Sequence, residues 1–141
     1  MSATPEGPVP QGHYRPATRQ GDLIFTAGMT PRRAGVLLHA GPVRAGADPA
    51  DYRDAVVLAC GNALAAARAL LAPGEVIAAI PSLTVYVAAE PGFTAHSKIA
   101  DFASALLRDE LGEAGIGARA AIGVANLPGD ATVEIQLIAA V

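Results

Sequence analysis

Apolar residues recur at three and four through Val56, Val57, Cys60, Ala63, Leu64, Ala67, Leu70 and Leu71, while Arg53, Asp54, Asn62 and Arg68 fall mostly off that stripe. The spacing predicts an amphipathic helix that packs one face on a sheet. Asp48-Pro49-Ala50-Asp51 marks its start: an N-cap acid, proline at the first helical position, and a second acid where the helix dipole favours it. Pro73-Gly74 stops it. A second stripe, Ile99, Phe102, Ala103, Leu106 and Leu107, predicts a helix over about 94–111, with Gly112 just past its end.

Elsewhere the period falls to two. Ser82-Leu83-Thr84-Val85-Tyr86-Val87-Ala88 alternates β-branched and aromatic residues and reads as a strand, ended by Pro91-Gly92. Residues 14–19 and 23–28 flank the break Gln20-Gly21-Asp22 and read as a first hairpin, and residues 35–39 as a short third strand. Residues 117–138 read as a closing hairpin. In its first arm Arg119, Ala121 and Gly123 share a side; in its second, Val133, Ile135, Leu137 and Ala139 form one face and Thr132, Glu134 and Gln136 the reverse. With a loop over 125–128, Arg119 and Glu134 become a cross-strand pair. The order strand, strand, helix, strand, helix, strand, strand predicts an α+β two-layer domain, both helices covering one face of one sheet.

Composition adds an assembly. The 141 residues suffice for one domain, expected over 13–141 behind a flexible arm, 1–12, that has no basic start or apolar block of a signal peptide. Charged residues are only 16% and hydrophobic residues 52%, more than a lone domain of this size buries, so a homo-oligomer is expected. The net charge of −3 and ten basic residues, scattered apart from Arg32-Arg33, argue against a nucleic-acid partner. The apolar run 76–89 is broken by Pro81 and Ser82, so no membrane span is expected. The single Cys60, inside a helical stripe, fits an inert thiol in a reducing cytoplasm. His13, His39 and His96 have no ligand partners at metal-binding spacing, and no nucleophile motif or phosphate cradle is present.

The chemistry that remains is Arg119 with Glu134. By pattern alone a surface ion pair is the commoner outcome. The sharper reading is that Ala121 and Gly123 leave room beside a planar guanidinium, which grips a small carboxylate while Glu134 holds a water.

The run Ala118-Arg119, apolar residues, Leu127-Pro128, a turn and Val133-Glu134-Ile135 resembles the closing signature of the RidA/YjgF (reactive intermediate deaminase) family. The resemblance extends through Tyr14, Gly21-Asp22-Leu23-Ile24-Phe25, Gly28, Asn62-Ala63-Leu64 and Thr84-Val85-Tyr86-Val87. It implies a chorismate-mutase-like fold assembled as a homotrimer with sites in clefts between subunits. It also implies hydrolysis of enamines and imines such as 2-iminopropanoate and 2-iminobutanoate to 2-oxo acids and ammonia, without metal or organic cofactor. Carried over, Arg119 with the backbone N–H of Ala121 binds the substrate carboxylate, Glu134 orients or activates water, and Tyr14 touches substrate or water. Gly28 brings its backbone close to the ligand, and Asp101 stands where a polar helix residue reaches the neighbour's site. Pro16, Met29 and Ala120 differ from the residues usual in such relatives, and the segment before the second helix, 90–98, is longer, as in a divergent branch. Two alternatives stay open: a trimeric binder of small carboxylates or a pathway-specific biosynthetic catalyst, and an endoribonuclease, against which the acidic balance argues.

Overall fold

The structure is a computed structural model describing residues 8–141. Of the arm expected over 1–12, residues 1–7 lie outside the described residues; Pro8, Val9 and Gln11 line a hollow beside Tyr14 and Gly28.

Five strands form one mixed sheet in the order β1 (Ala17–Gln20), β2 (Leu23–Thr26), β7 (Val133–Ala140), β5 (Ala79–Ala88), β6 (Ala118–Val124). β1 and β2 make the expected hairpin, turned at Gly21, whose φ of 59° suits a residue without Cβ. β7 is the central strand, and β5 lies beside it, antiparallel to β7 and parallel to the edge strand β6. The expected closing hairpin is therefore not formed. β6 and β7 are consecutive in sequence, yet β5 lies between them, because helix α2 (His96–Leu111) carries the chain from β5 back into a parallel partner. Two strand spacings, about 10 Å, then separate β6 from β7, more than a tight turn spans. The connecting loop crosses the end of β5 through the turn Pro128–Asp130, with Gly129 and Asp130 at φ 67° and 65°. Backbone bonds from Ala88 N–H to Thr132 C=O (3.0 Å) and Gly41 N–H to Asp130 C=O (2.8 Å) hold it.

Helix α1 (Arg53–Arg68) and α2 cover one face of this sheet, as expected. Leu83, Val85, Val87, Val133, Ile135 and Leu137 form the buried sheet side of that core. Asp48 does cap: its Oδ1 accepts from Ala50 N–H at 3.0 Å, but the turn it caps is 3-10, Pro49–Tyr52, and α1 begins only after it and stops short of Leu70 and Leu71. Small residues on the two helices, among them Ala59, Ala63, Ala100 and Ala103, are buried between them and the sheet. There the Cys60 thiol lies 3.8 Å from the Ala103 carbonyl oxygen, and burial pushes its pKa up to about 12, which leaves it protonated and unreactive.

The third strand is shorter than expected and lies outside the main sheet. β3 (Arg32–Arg33) and β4 (Val36–Leu37) form a separate ribbon, turned at Ala34 and Gly35 with φ of 51° and 80°. Asn62 of α1 ties it down, donating from Nδ2 to the carbonyls of Thr30 (3.1 Å) and Arg32 (2.8 Å). The sheet face away from the helices carries Leu23, Phe25 and Ile122, 40%, 38% and 41% exposed. No helix among the described residues is long and apolar enough to cross a membrane.

Candidate functional site

Arg119 sits on β6 opposite Leu83 of β5, which in turn lies opposite Leu137 of β7. All three point into the helix layer. There α2 holds the guanidinium from several sides: Nη1 donates to Asp101 Oδ1 (2.8 Å) and Ser104 Oγ (3.0 Å), and Nη2 to Ser97 Oγ (2.8 Å) and the Ser97 carbonyl (3.3 Å). The fork is fixed, and it is paired with an exposed Asp101. Ala121 and Gly123 follow on the same side, but the room expected there is partly taken. A Cβ on Gly123 would meet the His96 ring, which packs edge-on against Phe93 with centroids 5.1 Å apart. Glycine lets the helix start approach the strand.

Glu134 belongs to the other face. It lies opposite Tyr86, three residues along β5 from Leu83, and a period of two sends these positions to opposite sides. The expected cross-strand pair with Arg119 is thus corrected: within one chain the two side chains point away from each other across the sheet.

Glu134 instead closes a hollow of about 440 Å³ whose walls include Tyr14, Gly28, Thr30, Arg32 and Pro128. Met29 and Ile135 exchange backbone bonds of 2.7 and 2.8 Å, which draws Gly28 against the glutamate. A Cβ at Gly28 would lie 2.7 Å from the Glu134 carboxyl carbon, so a side chain there would push the carboxyl out of this position. The Tyr14 hydroxyl accepts from Gln11 N–H at 3.0 Å, which steers the half-exposed ring at the rim. Burial raises the Glu134 carboxyl above its ordinary 4.5. A carboxylate formed there is a stronger base than one in water.

The fold thus gathers Tyr14, Gly28 and Glu134 into one cluster, and Arg119, Asp101 and Ala121 into another on the opposite face of the sheet. Sequence reasoning missed Ser97 and Ser104, whose α2 spacing with Asp101 was the available signal, and His96 against Gly123. It also missed Arg32, seen only as part of a basic doublet. No cluster of three or more metal-binding side chains occurs among the described residues.

The sequence profile of a family described as endoribonuclease L-PSP matches residues 4–141. The chain belongs to this family, the RidA/YjgF family. Among solved structures, a protein of unknown function from Agrobacterium tumefaciens is 35% identical over 92% of this chain and 82% of its own, with a TM-score of 0.83. A Shewanella oneidensis family member described as a putative endoribonuclease is 29% identical over 97% and 91%, TM-score 0.86. The Escherichia coli RidA-family protein TdcF, solved with bound serine, is 26% identical over 99% and 96%, TM-score 0.69. No curated protein sequence matches.

Proposed function

We propose that this RidA-family chain hydrolyses small reactive imines and enamines to 2-oxo acids and ammonia, working as a homotrimer in which Arg119 of one copy faces Glu134 of the next. The observation that carries this is the split site: a fixed guanidinium and a half-buried glutamate, on opposite faces of one sheet, complement each other only between chains. The open apolar sheet face supplies the surface for assembly. The serine held by the relative TdcF is a molecule of the required kind, a small carboxylate with nitrogen on the adjacent carbon.

In this reading the substrate carboxylate takes the place of the exposed Asp101 carboxylate on Arg119, with help from the Ala121 N–H, while Ser97 and Ser104 keep the guanidinium in place. Glu134 takes a proton from water as the oxygen attacks the iminium carbon, giving a tetrahedral carbinolamine. Glu134 returns the proton to nitrogen, and the C–N bond breaks as the carbinolamine hydroxyl gives its proton to the regenerated Glu134 carboxylate, which forms the 2-oxo carbonyl and releases ammonia. Tyr14 at the rim touches water or substrate. An iminium carbon is already electrophilic, so a placed water and a retained proton are most of what the protein must supply. An RNA substrate is disfavoured by the net charge of −3.

The test is 2-oxo acid release from 2-iminopropanoate, generated in situ by an amino acid oxidase. Wild type is expected to exceed buffer, and Arg119→Ala to lose about a hundredfold in kcat/KM. A wild type no faster than buffer ends the deaminase reading; carboxylates that still raise its Tm, and not that of Arg119→Ala, would leave a binder.

A further inference from the structure

The hollow at Glu134 has a second charged wall that the deaminase reading leaves unused. Arg32, on the β3–β4 ribbon, borders both this hollow and the adjoining one of about 400 Å³. Its Nη1 donates to the Gly35 carbonyl of its own turn at 3.0 Å, while its Nε is buried with no acceptor among the described residues. A donor in that state costs free energy unless something completes it. The surroundings keep the guanidinium where it is. Asn62 fixes the Arg32 backbone, and Gly129, at φ 67°, clears the way for Nη2, which would lie 2.9 Å from a Cβ at that position. Glu134 shares the hollow with Arg32 yet forms no ion pair with it within 4.0 Å among the described residues. Cation and carboxyl therefore line one hollow without pairing.

We propose that Arg32 is a second anion contact of this site, and that the ligand it selects is a small dicarboxylic imino or oxo acid, with one carboxylate on Arg119 of the neighbouring copy and the side-chain carboxylate on Arg32. The inference rests on the deaminase reading for the first contact and goes beyond it in naming the substrate class. Its chemistry is that of the planar fork, which matches a carboxylate as a bidentate partner where lysine offers a point charge.

The experiment compares two imines made in situ, 2-iminosuccinate from aspartate and 2-iminopropanoate from alanine, with wild type, Arg32→Gln and Arg32→Lys. The ratio of kcat/KM for the dicarboxylic over the monocarboxylic imine is expected to favour the dicarboxylic one in wild type. It should fall roughly tenfold to a hundredfold in Arg32→Gln and by an intermediate amount in Arg32→Lys. A ratio unchanged within twofold in both variants overturns the proposal, since a purely structural arginine would slow both substrates alike. Should Arg32→Gln fail to fold, Arg32→Lys alone carries the comparison. If neither imine is hydrolysed, the deaminase reading falls, and thermal shifts decide the Arg32 inference separately. Succinate must then stabilise wild type more than propionate does, with the difference lost in the variant; equal shifts overturn it.

Discussion

Glu134 is a carboxyl that folding makes less acidic, by half-burying it against Gly28. Because the folded state holds this proton more tightly than the unfolded chain, the residue is harmless to stability below the ordinary value of 4.5 and weakens the fold as pH rises through its raised value. Glu134→Gln is therefore expected to melt higher than wild type at pH 7 to 8, with the gap closing below about pH 4.5, while activity on the imine falls about a hundredfold or more. Melting curves across pH check the first part; a gap that does not change with pH would contradict it. At this scale the sequence showed that Arg119 and Glu134 were the charges worth attention, and the family resemblance added Tyr14 and Gly28. It could not show Arg32, because what distinguishes that side chain from Arg33 is a hollow assembled from residues as far apart as Gln11 and Pro128.

Among the elements, a two-pronged ion pair outside the sheet ladder joins β1 to the turn after α1. Arg19 grips Glu75 with both nitrogens, at 2.5 and 2.8 Å, and Ala72 N–H adds a third bond of 2.7 Å. The guanidinium, then the amide, hold the Glu75 carboxyl down at about 2. Here the sign is the reverse of Glu134: the contribution is complete above the ordinary 4.5 and lost as pH falls toward 2. Glu75→Gln is expected to melt lower than wild type at pH 7, and the two curves to converge between about pH 4.5 and 2. A difference that persists at pH 2 would place the effect elsewhere. Element types were legible for a related reason: period and punctuation are local, so both helices, the first hairpin and the alternation of β6 and β7 could be read directly. Pairing is not local. Nothing within residues 117–138 reveals that β5 will come between the two arms, and that insertion put the two members of an expected ion pair on opposite faces of the sheet.

For the whole molecule, the split site and the uncovered apolar sheet face lead to one expectation. Light scattering should give three times the mass of one chain for wild type. Ile122→Arg, which puts a charge on the open face, should give single chains with unchanged far-UV circular dichroism and no imine hydrolysis. A wild type that scatters as one chain, or a monomeric variant with full activity, would refute the shared site. The sequence alone determined the class of fold, the faces of its helices and strands and, through motif order, the family, because these follow from local spacing and residue type. The tertiary structure alone decided which faces meet: the order β1-β2-β7-β5-β6 sends Arg119 into the helix layer and Glu134 to the opposite side. The physical reason is that strand order is settled by burying β5 between two partners, a condition on the whole chain that no local pattern records.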